Sequence, residues 1–438
     1  MPVKGLPSRG VAKHRLTELA TGERVISERV PGVRSVALGF WVGAGSRDET
    51  DARAGVSHFI EHLLFKGSSR YSAQEIAEIF DELGGELNAA TSRETTVVYS
   101  RIPDDRLERA LDVMADMVFR PSFTDVDSER EVVLEEIAMV EDTPNDLVHD
   151  IAAEAVFGSH PLGRPVIGSA DVISSVSRRA LAGYHRRAYQ GRNVVLAAAG
   201  NVRHDDLVRL LEERRNSASS GPGLAARKPA RANGKPGLLF QRKDTEQYHV
   251  CLSAPGISRL DARRFAASLM DAIVGGSASS RLFQEIREKR GMAYSVYSYS
   301  SQYADAGQIG VYVGTREDNL AECLEIAVAE LSDIAGGNVR ADELARAKEN
   351  LKGRILLSLE STSARMTRLG KSTITETPLL SPEAIVRRLE AVTAREVAEL
   401  AEALFAPDGL SVAGIGPDES RFAEAVQRVN PGLLEKAA

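Results

Sequence analysis

Gly55–Gly67 reads GVSHFIEHLLFKG, a helical stretch with strand-like segments on either side. On a helix His58 and His62, four residues apart, lie one above the other, and Glu61 shares their face. Neutral imidazoles are good zinc ligands, and a carboxylate beside a metal-bound water can take its proton. The order is the reverse of H-E-x-x-H, a variant with the same three groups on one face. With 8 His in 438 residues, such a match arises by chance with odds of roughly one in a hundred. A third ligand and a fitting context must therefore come from the rest of the chain.

Before the motif, ERVISERV and SVALGFWVGAG alternate like a pair of strands. After it, SAQEIAEIFDELG reads as a second helix, and GGELNAATS and TTVVYSRI as strands. Helices are expected over 105–119, over 127–141, from near Asn145 and over VSRRALAGYHRRAY, then a strand NVVLAAAG and a closing helix HDDLVRLLEER. NSASSGPGLAARKPARANGK then interrupts all periodicity and reads as a linker. Beyond it the order returns. GLLFQRK and YHVCLSAPG are strands, RRFAASLMDAIVGG and SSRLFQEIREKRG helices, and AYSVYSYSS and GQIGVYVGT strands. Two long helices over 318–335 and 341–360 and the strand GLSVAGIG follow. LSLESTSARMTRLGKS is expected to belong to a long helix crossing the domain.

The pattern is given twice, which predicts an internal repeat: 1–215 as one half, 216–235 as linker, 236–438 as the other. Each half is expected to be an α+β layer, a mainly antiparallel sheet backed by helices. Matching Gly67 to Gly275 or Gly276 sets the His58–His62 helix opposite Phe265–Asp271, which has no His and no Glu. Metal chemistry is thus expected in the first half alone.

Composition bounds the rest. Apolar residues at 43% and charged residues at 27% suit a globular chain with real cores. A net charge of −7 argues against nucleic acid as the main partner. Cys251 and Cys323 sit in apolar runs and read as buried free thiols, which fits a reducing compartment. No run of apolar residues is long enough for a membrane span. The basic start MPVKGLPSRGVAKHR reads as a loose tail, and the cytoplasm is the expected location.

The third ligand is sought by helical geometry in DVDSEREVVLEEIAMVED. Val132, Val133, Ile137 and Val140 define an apolar stripe centred about 80° from Val132 at 100° per residue. Glu136 at about 40° and Glu129 at about 60° fall inside it, whereas Glu135 and Glu131 point away. A carboxylate on a buried face is costly unless paired or metal-bound, so Glu129 and Glu136 are the candidates.

Taken together, GVSHFIEHLLFKGSSRYSAQEIAEIFDELGGELNAATSRETTVVYS, SEREVVLEEIAMVEDTPNDLVHD and SSRLFQEIREKRGMAYSVYS resemble the pitrilysin/insulinase family of inverted zinc peptidases. The likeness is greatest to the branch that includes the β subunit of mitochondrial processing peptidase and its bacterial relatives. It implies a clamshell of two homologous α/β-roll halves around a chamber, with one Zn2+ per chain on His58, His62 and Glu136. It further implies Glu61 as the base, Glu129 supporting the site, and Arg287 and Tyr294 contacting substrate, Tyr294 also serving the transition state. GGELNAATS is expected to be an exposed edge at which Asn88 and Ala89 receive the substrate as an added strand. The implied activity is metalloendopeptidase cleavage of unfolded or extended peptides, or presequence-like segments, by a homodimer. The alternatives are a catalytically silent core subunit and the catalytic half of a heterodimeric processing peptidase. His149, His160 and His185 lack ligand-like spacing and are expected to be surface or structural.

Overall fold

The computed structural model describes residues 14–215, 223–230 and 236–437. Most of the basic N-terminal tail and much of the linker lie outside the described residues. The first half begins with β1 (Arg15–Glu18), β2 (Arg24–Arg29) and β3 (Ser35–Val42), then α1 (Val56–Leu64) and α2 (Ala73–Leu83). Strands β4 (Glu86–Thr91) and β5 (Thr96–Pro103) precede α3 (Leu107–Phe119), α4 (Val126–Glu141), α5 (Pro144–Phe157), α6 (Ala170–Ser175) and α7 (Arg178–Ala188). The half closes with β6 (Val194–Gly200) and α8 (His204–Arg214).

The second half opens with β7 (Leu238–Arg242), β8 (Tyr248–Gly256) and α9 (Arg264–Val274), then a short π-type turn of helix over Phe283–Glu288. Strands β9 (Ala293–Gln302) and β10 (Gly307–Thr315) lead into α10 (Glu317–Ala335), α11 (Ala341–Ser358) and α12 (Thr362–Ile374). Then come α13 (Pro382–Ala391), α14 (Ala394–Leu404), β11 (Ser411–Gly416), α15 (Glu419–Val429) and α16 (Pro431–Ala437).

Among the described residues the strands form two sheets, ordered β1-β2-β6-β3-β5-β4 and β7-β11-β8-β10-β9. Only β2–β6 and β7–β11 pair in parallel, so both sheets are mainly antiparallel. Dropping β1 superimposes one order on the other: β6 matches β11, β3 matches β8, and β4 matches β9. The expected repeat is therefore present in the topology. ERVISERV and SVALGFWVGAG are not neighbours, however, because β6 lies between them. Every residue of β6 is buried, and a strand buried on both faces belongs inside a sheet.

Each half has its own core between sheet and helices, and the halves also exchange a helix. α5, from the first half, packs Val148 and Ala152 against Cys251, Tyr312, Ala413 and Ile415 of the second sheet. Reciprocally, α12 lays Met366 and Leu369 on Ile26, Trp41 and Val195 of the first sheet. Close approach is possible because Gly370 faces the Trp41 indole and Gly39 faces Met366. The expected continuous helix through LSLESTSARMTRLGKS is thus two helices. The chain breaks at Leu359–Ser361, and the Ser361 hydroxyl accepts the Ala364 N–H to start α12 (3.2 Å).

A buried ion cluster joins the halves. Glu94, on the β4–β5 hairpin, accepts Arg47 at 2.7 Å and also Arg259 of the second half. Arg47 bonds Asp305, and Arg227, in the described part of the linker, bonds Asp48 at 2.7 Å. No helix among the described residues is long and apolar enough to cross a membrane.

Candidate metal centre

Helix α1 is built to hold its motif still. Val56, Phe59, Ile60, Leu63 and Leu64 are buried in the core, which leaves His58, Glu61 and His62 on the other face. Gly55 starts the helix at φ +93°, where an added Cβ would meet the Ile167 carbonyl. The buried Glu49 carboxylate accepts the N–H groups of Gly55 (2.8 Å) and Ser57 (2.5 Å). Burial pushes this carboxyl up to about 7 against those two bonds. Glu49 was not singled out in the sequence: it stands in a loop among other acids, with no periodic relation to the motif.

His58 Nε2 lies 3.7 Å and His62 Nε2 3.2 Å from Glu136 Oε2. One ligand atom from each residue lies within 4.8 Å of the others, and among the described residues no other such group occurs. Tetrahedral zinc with ligand bonds near 2.1 Å sets its donors about 3.4 Å apart, so the pocket fits that ion. Burial, reinforced by His62, pushes His58 down to about 4, which keeps the imidazole in its neutral, ligating form. Glu61 adjoins the pair. Its Oε2 is buried with no hydrogen-bond partner among the described residues, and burial raises its carboxyl while Thr91, at the end of β4, pulls it down.

The apolar face of α4 differs from the sequence expectation. Its buried residues are Val126, Glu129, Val133 and Ile137, while Val132 is 49% exposed. The true stripe is rotated by about 25° from the predicted one, counted at 100° per residue. Glu129 lies about 45° from its centre and is buried, and Glu136, about 65° away, sits at the margin, where a side chain can face both helix α1 and the cleft. Glu129 Oε1 meets His62 Nδ1 at 2.9 Å, and Lys66 bonds the other oxygen at 2.7 Å. Lys66 follows His62 by four residues, a helical-spacing signal that the sequence reading passed over.

The profile of the insulinase family, peptidase family M16, matches residues 24–170, and that of the peptidase M16 inactive domain matches residues 175–351. The chain is 41% identical to an uncharacterized zinc protease of Streptomyces coelicolor, over 95% of this chain and 93% of that protein. It is 40% identical to one of Bacillus subtilis, over 88% of this chain and 94% of that protein. The chain belongs to peptidase family M16. Two solved structures share the fold. A protease from Helicobacter pylori has a TM-score of 0.87 at 20% identity, over 93% of this chain and 100% of that one. An M16 inactive domain from Pseudomonas fluorescens has 0.85 at 24%, over 92% and 98%. The inactive-domain match begins at 175, within the first half, and takes in α9, which carries neither His nor Glu.

Of the other candidates, Asn88, Ala89 and Tyr294 lie on the two sheet edges, and Arg287 on the helical turn before β9. β4 is the last strand of its sheet and β9 of the other. Ala89 packs against the first core, and the Asn88 side chain folds back onto the Ala89 N–H at 2.8 Å. Arg287 stacks on the Tyr294 ring, 4.5 Å from its centroid, and donates to the Tyr294 carbonyl at 3.1 Å. Tyr294 is 78% exposed. Neither residue bonds His58, Glu61, His62 or Glu136, so the structure pairs them with each other and not with the metal candidates. SSRLFQEIREKRG is shorter in helix than expected, with wide turns such as Lys289 N–H to Gln284 carbonyl at 3.0 Å.

His149, His160 and His185 make local hydrogen bonds away from the candidate centre. His149 Nε2 meets the Tyr297 hydroxyl at 2.8 Å, and His185 Nε2 the Val118 carbonyl at 2.8 Å. His160 Nδ1 accepts the Leu162 N–H at 3.1 Å. Cys251 and Cys323 are buried and free, and burial pushes their thiols up to about 12 and about 11.

Proposed function

We propose that this chain is a zinc metalloendopeptidase that cleaves extended peptides, with one zinc held by His58, His62 and Glu136. The observation that carries the reading is the convergence of these donors from α1 and α4 beside a buried, unpartnered Glu61 oxygen. Zinc, when bound, acidifies a water ligand and polarises a peptide carbonyl. Glu61 takes the proton of the attacking water and passes it to the leaving amine, and its burial strengthens its hold on that proton. Glu129 fixes the His62 ring through Nδ1, which leaves Nε2 for the metal.

The edge strand β4 ends at Thr91, against Glu61. A substrate added to this edge would run past the base in extended form, displacing the Asn88 side chain from the Ala89 N–H. Folded proteins do not offer such a strand, so the substrates are unfolded segments. Arg287 and Tyr294 would reach the bound peptide from the second half, and a Tyr294 hydroxyl on the developing oxyanion contributes a few kcal/mol.

The test is mass-spectrometric mapping of cuts in a mixed peptide library. Wild type is expected to cleave, and Glu61→Gln to hold zinc while losing about 10²–10⁴ of the rate. Full cleavage by Glu61→Gln with zinc in place would overturn the mechanism.

A further inference from the structure

A cavity of about 620 Å³ lies in the second half between α9, β9, α11 and the exchanged helix α12. Its charged lining is Arg259, Arg264, Arg354, Arg368 and Lys371 against a single acid, Asp271. Most of the other lining groups are serine and threonine hydroxyls and Gln302. Arg259 and Arg368 are answered by Glu94 and Glu28. Arg264, Arg354 and Lys371 make no ion pair among the described residues. Asp271 accepts the Ser298 hydroxyl at 2.7 Å, and burial raises its carboxyl while Ser298 and the Arg354 charge pull it down. Lys371 makes no direct ion pair, and burial, then Arg259, pushes its ammonium below its ordinary range while the Glu94 charge opposes the shift. The chain as a whole carries −7, so this concave positive wall runs against the net charge.

Its position connects it to the candidate centre. β4 ends at Thr91, beside Glu61, and Glu94 follows three residues later on the hairpin. Glu94 holds Arg259, which lines the cavity. The hairpin that closes β4 is thereby tied to the cavity wall.

We infer that this cavity is a subsite for an acidic segment of the peptide substrate, whose carboxylates pair with Arg264, Arg354 and Lys371. The inference rests on the peptidase reading and names its substrate class. A cleft lined by one sign of charge concentrates the opposite sign, commonly by tenfold or more. Arginine-rich, presequence-like segments would be repelled.

The test uses three labelled peptides of one cleavable sequence, flanked by a run of glutamates, glutamines or arginines. Binding is read by fluorescence anisotropy on Glu61→Gln and cleavage by kcat/KM on wild type. The glutamate peptide is expected to bind and be cleaved on the order of tenfold better than the glutamine one. That ratio is expected to fall toward unity in Arg264→Gln/Arg354→Gln/Lys371→Gln and at high salt. Arg395→Gln, at an exposed site far along the chain, is expected to keep it. If circular dichroism shows the triple variant unfolded, Arg354→Gln alone, at an exposed position, carries the comparison. Equal kcat/KM for all three peptides, a preference for arginine, or a ratio unchanged in the variants would overturn the subsite while leaving the peptidase standing. Acid-selective binding without cleavage of any peptide would overturn the peptidase and leave the subsite.

Discussion

Glu94→Gln is the substitution from which the union of the two halves can be measured. The Glu94 side chain is 3% exposed and accepts Arg47, Arg259 and the Ala304 N–H. Removing one partner of a buried ion pair costs about 3–5 kcal/mol. Here the lower end applies, because Arg47 keeps Asp305 and Arg227 keeps Asp48. A loss of about 3 kcal/mol lowers Tm by about 3 °C in a cooperative unit of 438 residues. Differential scanning calorimetry reads it. Asp305→Asn is the control: Asp305 is 37% exposed and its loss leaves Arg47 with Glu94, for a cost of about 1 kcal/mol or less. Glu94→Gln/Arg259→Gln is expected to be non-additive by at least about 1 kcal/mol, as contacting residues are. The pH dependence has a definite sign. Burial raises the Glu94 carboxyl, but Arg259 and Arg227 outweigh it and hold it below the ordinary 4.5. Its stabilisation is therefore complete above 4.5 and is lost as pH falls through the lower folded value. A Glu94→Gln shift no larger than that of Asp305→Asn, or strict additivity with Arg259→Gln, would refute the role of the cluster.

Two further outcomes follow from the geometry. Glu129→Gln is expected to weaken zinc binding about 10–100-fold, measured by competition with a chelator, since it orients His62 through Nδ1; unchanged affinity would remove Glu129 from the site. Gly370→Leu places atoms into the Trp41 indole and is expected to cost about 1–3 kcal/mol in thermal unfolding, whereas no loss would mean that α12 does not seat as described.

Much of this layout is legible in the sequence because local periodicity carries it. The apolar spacing of α1 gives the helix, and the same spacing puts His58, Glu61 and His62 together. The repeat is legible because both halves obey one order of elements. The identity of strand neighbours is not, since β6 reaches its place between β2 and β3 through a long crossover that no local pattern records. The stripe of three valines and one isoleucine in α4 misjudged Val132, whose outward position depends on what α1 leaves uncovered. It still separated Glu136 from Glu135, because their 100° difference exceeds that error. Glu49 escaped notice because it reaches Gly55 and Ser57 from an aperiodic loop, and the cavity cations because they come from separate helices distant in the chain. Helix α12 is the extreme case, a segment of the second half whose buried face is explained only by the sheet of the first.

The central claim is a metal held by His58, His62 and Glu136. Elemental analysis of zinc per chain, after dialysis against metal-free buffer, tests it directly in wild type, Glu136→Gln and Glu135→Gln. Wild type and Glu135→Gln, at an exposed position one residue away, are expected to retain one zinc, and Glu136→Gln to lose it. Retention of stoichiometric zinc by Glu136→Gln, or its loss from Glu135→Gln, would contradict the assignment.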